Sequence, residues 1–239
     1  TSAFLRSMGL RNKTDDLDAK ALARYGADRK PAPWEQPTPE MAILKDLVRI
    51  RMDLVNARTA MTLRLKDHGR ASKLVVRAMT RVVQSLNAQV KALETGIHEH
   101  LRAHASLGKK VTRFASISGV GLITAVTVLA ELGDPSRFAR SRQLTAFAGV
   151  SPRRKESGTS IRGRTRMCKQ GSARVRGVLY LAASAAVRFN PDLKGLYERL
   201  LAQGKPRRVA LGAAMRKLLV LMRAVLKADH DWVPERHAA

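Results

Sequence analysis

Apolar residues recur every three or four positions along two long stretches in the first half of the chain. Such spacing is typical of amphipathic helices that bury one side. The stripe positions are Leu44, Val48, Val55, Met61 and Leu65 in residues 40–66, and Met79, Val82, Leu86, Val90, Leu93, Ile97 and Leu101 in the stretch that follows. Because Gly69 separates the stretches, the pattern predicts an αα-hairpin, an antiparallel coiled coil. A hairpin of this kind has little core of its own, so we expect it to pack against another chain or domain.

A short helix and a linker precede this hairpin. Residues 19–25 have a helical pattern, and Thr14 or Asp15 is suited to cap that helix because its side-chain oxygen can accept a backbone N–H. Residues 31–39 contain four of the nine prolines and are predicted to be an extended linker. We interpret Trp34 as an anchor of this linker on a neighbouring domain. The segment before the linker is interpreted as the end of a larger domain.

The second half of the chain has shorter elements and a basic segment. A turn at residues 117–122 precedes a helical pattern with apolar positions Ala125, Val128, Leu129 and Leu132. Residues 151–171 are too rich in Gly and Arg to be regular throughout, and a β-hairpin is the element they favour. Helices are predicted at residues 142–149, 175–189, 192–202 and 209–227, the last with a buried stripe of Leu218, Leu219, Met222 and Val225. Trp232 is expected to hold the tail. The chain is therefore predicted to be mainly α-helical.

The net charge limits the possible partners. The chain of 239 residues has a formal charge of +26, with basic residues spread along its length. Self-repulsion of that size destabilises a compact fold unless counter-charge is present, so a nucleic-acid partner is close to required. Apolar residues make up 45% of the chain, enough for a core, whereas aromatic residues make up 4%. So few aromatic residues argue against base-stacking modules and favour contacts to the phosphate backbone.

Other residues indicate the compartment and argue weakly for a metal site. Cys168 is the one cysteine, which fits a reducing compartment, and no apolar run or signal-peptide region predicts a membrane span. We therefore expect a cytoplasmic protein with no membrane partner. His98, His100 and His104 cluster, but only His100 and His104 share a helix face. An isolated pair is weak support for zinc.

The basic segment carries the strongest functional signal. Between Arg137 and Arg176 there are twelve Lys or Arg residues and one acidic residue, Glu156. Such a segment repels itself and is suited to face a polyanion rather than a core. Ser157 lies in it beside Gly158, where a small hydroxyl could attack a backbone phosphodiester. The alternative is a basic loop that only neutralises phosphates, and the local sequence alone favours that alternative.

Two further places are suited to bind phosphate or metal. Gly119 and Gly121 form a Gly-x-Gly turn before a helix, where backbone N–H groups can approach a phosphate closely. The turn resembles the hairpin of helix-hairpin-helix DNA-binding modules, although a tight turn without a ligand has equal weight. Asp15 and Asp18 lie three apart at the start of a helix, so both carboxylates project from one face and suit Mg²⁺. Acidic residues in a first helical turn more often serve the cap and the helix dipole.

Two motifs together resemble one protein family. Residues 12–22, NKTDDLDAKAL, resemble the last acidic pair of the RuvC-like domain in DEDD-type insertion-sequence transposases of the IS110 group, which includes the Piv invertase. Residues 138–163, FARSRQLTAFAGVSPRRKESGTSIRG, resemble the centre of the second, Tnp domain of those enzymes. The ISGVG turn and the terminal GAAMRKL follow in the family's order. The resemblance covers nearly the whole chain and divides it into a RuvC-like remnant (1–30), a linker (31–39), a coiled-coil hairpin (40–107) and a Tnp domain (108–239).

The resemblance implies a covalent mechanism. Family members cut and rejoin DNA through a Tnp-domain serine that becomes joined to DNA; Ser157 matches it, and Ser160 is the competing nucleophile. The family's acidic residues bind Mg²⁺, and Asp15 and Asp18 match two of the four. No histidine lies near Ser157 in sequence, so metal-assisted activation is favoured over a Ser-His dyad. Gly158 leaves room for DNA to approach.

The resemblance also implies nucleic-acid contacts and partners. The residues expected to bind nucleic acid are Arg153, Arg154, Lys155, Arg162, Arg164, Arg166, Lys169, Gly119 and Gly121. Arginines in such a set can clamp a scissile phosphate. Recent family members are guided by a structured bridge RNA and assemble as tetramers in which two protomers complete one site. We therefore expect DNA, a bridge RNA and further copies of the chain, as a dimer or tetramer, as partners.

The same resemblance predicts that residues 1–239 do not complete a catalytic site alone. The family's first acidic residues lie on an opening strand and a later segment, which would precede Thr1. The alternative to a transposase is a non-catalytic nucleic-acid-binding or scaffolding protein. Both interpretations predict strong, salt-sensitive binding, and covalent chemistry separates them.

Overall fold

Helices make up most of the protein, which confirms the prediction of a mainly α-helical chain. The structure is a computed structural model that describes residues 4, 14–30, 36–67, 72–157 and 161–234, with side chains for all of these except residues 154–157 and 161–165. The chain divides into two compact units, Thr1–Pro37 and Thr38–Ala239. Within the described ranges, no helix has both the length and the apolar character needed to cross a membrane.

The N-terminal unit contains helix α1 (Asp15–Arg29). Thr14 is its N-cap, and the side-chain oxygen accepts a hydrogen bond from the N–H of Leu17 at 3.3 Å. The helix is longer than the predicted residues 19–25 because the acidic first turn interacts favourably with the helix dipole and takes part in the helix. Trp34, the expected linker anchor, lies outside the described residues.

Two long helices, α2 (Pro39–Asp67) and α3 (Lys73–Ala103), form the predicted αα-hairpin. The hydrogen-bonded pairs run in opposite directions along the two helices: Arg51 with Glu94, and Arg58 with Asn87. This order shows that the helices are antiparallel. Gly69, the predicted break between them, lies outside the described residues.

One predicted stripe position of α3 is wrong. The side chain of Val82 is 43% exposed, whereas that of the adjacent Val83 is partly buried. An α-helix turns once every 3.6 residues, so the inward series runs from Met79 through Val83 to Leu86. The other stripe positions predicted for α2 and α3 are buried or partly buried.

The hairpin packs at its base against the helical domain that follows it. Leu44, Val48, Ile97 and Leu101 belong to the same buried cluster as the side chains of α5 (Leu122–Leu132). Burial of these four side chains gives the hairpin the core that it lacks by itself. The expected packing against a domain is therefore observed at this end of the hairpin.

Helix α5 is the centre of the helical domain, because most of its residues are apolar and buried on every side. It contacts α2, α4 and α7. The elements that complete the helical part are α4 (Ala105–Ala115), a 3₁₀ turn (Pro135–Arg137), α6 (Ser141–Phe147), α7 (Ala173–Phe189), α8 (Pro191–Ala202) and α9 (Arg207–Ala228). The predicted α9 stripe of Leu218, Leu219, Met222 and Val225 is fully buried. Trp232 is also buried, and its backbone N–H donates to Ser116 Oγ at 2.9 Å, so it holds the tail as predicted.

The basic segment forms the predicted β-hairpin. Strands β1 (Pro152–Ser157) and β2 (Ile161–Met167) pair in antiparallel fashion. The register shifts between Arg153 and Lys155, as a β-bulge does. A bulge bends a strand and strengthens its twist, so the outer part of the hairpin departs from the line of its root.

A buried carboxylate joins three helices of the second unit. Glu131 of α5, whose side chain is only 6% exposed, accepts hydrogen bonds from Arg49 Nε of α2 at 2.7 Å and from Ser172 Oγ at 3.1 Å. Ser172 is the N-cap of α7. Burial alone would raise the pKa of Glu131, but the bonds from Arg49 and Ser172 and the nearby guanidinium charge of Arg174 hold it below its usual range.

Replacing Glu131 by Gln is expected to lower the free energy of unfolding by about 1.5–3 kcal/mol at neutral pH, the value of hydrogen bonds to a buried charged group. Because folding lowers the pKa of Glu131, its contribution is complete above the unfolded-state value of about 4.3 and is lost as the pH falls through the folded-state value. Urea unfolding at neutral and acid pH measures both effects. The control is Glu94→Gln, which removes the more exposed ion pair with Arg51 and should cost at most about 1 kcal/mol. Equal losses in the two variants would contradict this account.

Candidate nucleic-acid interface

The backbone of the helical domain holds the root of the basic β-hairpin. The N–H of Val150 donates to the carbonyl oxygen of Thr145 on α6, and the N–H of Lys169 donates to that of Gly149, each at 3.0 Å. Gly171, with a φ of 143°, lies against α6, and a Cβ there would be 2.3 Å from the carbonyl oxygen of Phe147. Only glycine accepts both that φ and that approach. The hairpin therefore leaves the core at a fixed place.

Ser157 lies at the far end of the hairpin from this root. It is the last residue of β1, and its register partner is Ile161. Five residue steps along the strand separate it from Pro152 at the root, a distance of about 17 Å. The side chain of Ser157 and the whole of Gly158 and Ser160 lie outside the described residues.

Like charges face each other across the hairpin. Arg153 and Arg166 are register partners, and both side chains are exposed. Like charges directly opposite each other destabilise a strand pair. The strands also carry four more of the predicted nucleic-acid-binding residues, of which the backbone is described: Arg154, Lys155, Arg162 and Arg164. We expect an anion bound across the strands to relieve this repulsion.

Asp15 and Asp18 both lie in the first turn of α1, as the sequence predicts. The capping and pairing roles in that turn belong to other residues, since Thr14 caps the helix and Asp16 accepts a hydrogen bond from Lys20 Nζ at 2.8 Å. Asp15 and Asp18 form no ion pair with another described residue. Carboxylate oxygens are the hard ligands that Mg²⁺ prefers, and Asp15 and Asp18 stay predicted ligands. In the ranges that the structure covers, no group of three or more His, Cys, Asp or Glu residues completes a metal site.

Gly119 and Gly121 have different surroundings. Gly119 has a φ of 99°, and a Cβ there would be 2.5 Å from the Cβ of Ala186 on α7, so it packs against a helix. Asn190 Nδ2 donates to the carbonyl oxygen of Ser118 at 3.4 Å and holds the same turn. Gly121 is exposed, is the N-cap of α5 without a side-chain cap bond, and has no atom within 4 Å of an added Cβ. Of the two glycines, Gly121 is the one with room for a phosphate.

Replacing Gly119 by Ala is expected to lower the free energy of unfolding by about 2–4 kcal/mol, because the new methyl group meets α7 and an unfavourable φ adds strain. Gly121→Ala is the matched control and should cost no more than about 1 kcal/mol, the loss from a poorer N-cap. Chemical denaturation of both variants measures the difference. A stable Gly119→Ala protein would show that the turn is not packed as described.

The histidine pair and the cysteine have contacts of their own. The ring centroids of His100 and His104 lie 4.5 Å apart, and His100 Nε2 lies 2.8 Å from the carbonyl oxygen of Glu40. One histidine nitrogen is therefore used inside the αα-hairpin. Cys168 Sγ lies 3.2 Å from Gln170 Oε1 at the root of the β-hairpin.

Two basic residues of α9 were missed as site residues by sequence reasoning. Arg208 and Arg216 line one groove together with Arg166 and Lys169 of the β-hairpin root. The sequence shows a basic helix but not which strand it faces. The local signal was the run of seven Lys or Arg residues without an acid at residues 205–227.

Comparisons with known proteins identify the family of the chain. Residues 111–198 match the model of the transposase IS116/IS110/IS902 family, and residues 2–68 match a transposase model of the DEDD IS110 type. The transposase for insertion sequence element IS1111A of Coxiella burnetii is 30% identical over 252 residues, covering 92% of this chain and 68% of that protein. The pilin gene-inverting protein of Moraxella bovis is 28% identical over 242 residues, covering 98% of this chain and 72% of that protein.

The chain belongs to the IS110 family of DEDD transposases. This confirms the resemblance drawn from the two sequence motifs and makes the protein a DNA transposase by class. The match at residues 2–68 includes Asp15 and Asp18, and the match at residues 111–198 includes the whole β-hairpin. The four-part domain division and the roles of single residues stay predictions.

Proposed function

We propose that the protein joins DNA strands through a covalent bond between Ser157 and DNA. Family membership supplies the class of reaction. The position of Ser157 at the outer end of a basic β-hairpin carries the assignment of the nucleophile. At that place a DNA backbone attracted by the strands can reach a hydroxyl without entering the core.

In the proposed reaction Ser157 Oγ attacks a DNA phosphorus atom. A bond forms from Oγ to phosphorus while the bond from phosphorus to one deoxyribose oxygen breaks, and that oxygen leaves with a proton. The hydroxyl of a second DNA end then attacks the same phosphorus, displaces Ser157 and restores a phosphodiester. Ser157 loses its proton in the first step and regains one in the second. Because one phosphodiester replaces another at each step, no separate energy source is required.

Arginines of the hairpin stabilise the charge that develops on the phosphate. Arg162, the register partner of Glu156, is the arginine nearest to Ser157 along the hairpin, whereas the exposed Arg153 and Arg166 lie near the root and are suited to hold flanking phosphates. A guanidinium group can donate two parallel hydrogen bonds to phosphate oxygens, and such charge-assisted bonds are stronger than neutral ones. Donors fixed before the reaction cost no reorganisation when charge appears.

Asp15 and Asp18 are assigned as two of the ligands of Mg²⁺. When bound, Mg²⁺ supplies a Lewis acid that stabilises charge on phosphate oxygens. The two carboxylates offer the hard oxygen ligands that this ion prefers, from one turn of one helix. The rest of the RuvC-like domain and the DNA phosphate are the sources we propose for the other ligands.

DNA, a structured bridge RNA and further copies of the chain are the proposed partners, in a dimer or tetramer. The formal charge of +26 is large enough to support contact with two polyanions. A site in which the acidic residues and Ser157 come from different protomers is proposed from the family resemblance.

The second possibility is a family member that has lost catalysis and serves as a nucleic-acid-binding or scaffolding protein, because the net charge supports binding with or without a covalent step. Both functions predict an affinity that falls steeply as salt rises, because each phosphate contact releases counterions. Binding measurements therefore do not separate them, whereas a covalent product does.

The test is to trap that product on nicked DNA. The protein is prepared in a form that includes the family's first two acidic residues, incubated with end-labelled DNA and Mg²⁺, and run on a denaturing gel. We expect a protein–DNA band that is lost when EDTA replaces Mg²⁺. Tight, salt-sensitive binding without any such band would overturn the proposed function and support the scaffold.

A further inference from the structure

A groove of about 490 Å³ lies between the root of the β-hairpin and the first half of α9. Four basic residues line it: Arg166 and Lys169 from the hairpin, and Arg208 and Arg216 from α9. Its other lining residues are apolar or small, among them Met167 and Gly212. Pockets for small ligands have volumes of roughly 300–1,000 Å³, which includes this one.

Among the described residues, none balances the charges of this groove. No carboxylate lines it, and none of its four basic side chains forms an ion pair within the described part of the chain. Four like charges around one concave surface repel each other and concentrate a positive potential there. The groove therefore suits a ligand with more than one negative charge.

The apolar floor distinguishes this groove from a simple phosphate-binding surface. Met167 and Gly212 meet at the floor, since a Cβ on Gly212 would lie 3.5 Å from the Cε of Met167. Duplex DNA presents phosphates and sugars to a basic surface and keeps its bases stacked inside. A nucleotide of a single strand has a base with a free apolar face, which side chains can cover.

We propose that this groove binds one unstacked nucleotide of a single strand, with its base on the Met167–Gly212 floor and the flanking phosphates on Arg208 and Arg216. The chemistry is shared by single-stranded DNA and RNA. The inference rests on the proposed function, since strand exchange exposes single strands close to the hairpin. Binding itself does not require Ser157 chemistry, so the two can fail separately.

The experiment fills the groove without changing its charge. Ala213, another lining residue, is replaced by Leu in a Ser157→Ala background, and the affinities for a short labelled single strand of DNA, the same strand of RNA and a blunt duplex are measured by fluorescence anisotropy. We expect single-strand affinity to fall about tenfold, the effect of losing the apolar burial of one base, while duplex affinity changes less than about twofold. Gly195→Leu, on an exposed part of α8, is the matched control and should change neither.

A second variant tests the phosphate contacts. Arg208→Gln combined with Arg216→Gln should reduce the slope of log affinity against log salt for the single strand by about 1.4, as expected for two lost phosphate contacts. If Ala213→Leu does not fold, photocrosslinking of a 4-thiothymidine strand to the Ser157→Ala protein replaces it, and the crosslink should map to Met167 or to residues 208–216.

Three results would contradict the proposed nucleotide site. They are an unchanged single-strand affinity in folded Ala213→Leu, an equal loss of affinity for the duplex, and a crosslink that maps elsewhere. Tighter DNA than RNA binding, or the reverse, identifies which strand occupies it. The affinities could change as expected although the protein forms no covalent adduct. That result would support the nucleotide site and contradict the proposal that Ser157 is the nucleophile.

Discussion

Replacement of Ser157 by Ala is expected to abolish the covalent protein–DNA adduct while DNA affinity changes less than about twofold. The hydroxyl is the atom that attacks phosphorus, and alanine has no group that can replace it. Affinity depends mainly on basic side chains that the substitution leaves in place, such as Arg153 and Arg166. Denaturing gels of trapped reactions measure the adduct, and fluorescence anisotropy measures binding.

Ser160→Ala is the matched control for this substitution. Ser160 is three residues away in the same basic segment. Its replacement therefore tests whether the reaction needs the hydroxyl at residue 157 or any hydroxyl of the segment. We expect the Ser160→Ala protein to form the adduct at close to the normal rate. Persistence of the adduct in Ser157→Ala and its loss in Ser160→Ala would assign the nucleophile to Ser160 instead.

Replacement of Asp18 by Asn is expected to slow adduct formation by at least about 100-fold in Mg²⁺. The amide keeps the shape of the side chain but removes the negative charge and one hard oxygen, so the ion that stabilises phosphate charge is bound more weakly. A factor of 100 corresponds to about 2.7 kcal/mol of the activation free energy. Single-turnover gels measure the rate, and titration with Mn²⁺ measures ion binding directly.

Asp16→Asn supplies a control in the same helical turn. Asp16 is engaged with Lys20 on the surface, and such exposed pairs contribute at most about 1 kcal/mol to stability. We expect adduct formation in Asp16→Asn within about twofold of the normal rate. Equal effects of Asp16→Asn and Asp18→Asn would show that net charge in the turn, rather than a metal ligand, is responsible.

The elements that were predicted correctly are determined by residues close together in the sequence. The α9 stripe, with Leu218 and Met222 fully buried, follows from the 3.6-residue period, and Thr14 caps α1 with its own side chain. The β-hairpin follows from a segment too charged to be buried. The candidate nucleophile and the aspartate pair came from motifs whose order along the chain was itself informative.

The features that were missed depend on contacts between distant parts of the chain. Glu131 and Arg49 are 82 residues apart, and nothing near either residue indicates their pairing. Gly119 and Gly121 look alike in sequence, but only Gly119 meets α7. The error at Val82 has another cause. Val82 and Val83 satisfy the apolar pattern equally well, and only the rotation of the helix about its axis determines which of the two is buried.

The groove of Arg166, Lys169, Arg208 and Arg216 belongs with the missed features. Its two halves are separated by about forty residues of chain that form α7 and α8, so the basic residues of α9 had no visible partner. Only the packing of α9 against the hairpin root brings the four side chains around one concave surface.

Mass spectrometry of the trapped complex tests the central claim most directly. After digestion of the adduct with nuclease and protease, the account predicts a peptide that carries a nucleotide phosphate on the oxygen of residue 157. A phosphate found on any other side chain, or a fully assembled complex that exchanges strands with no nucleotide attached to the protein, would contradict it.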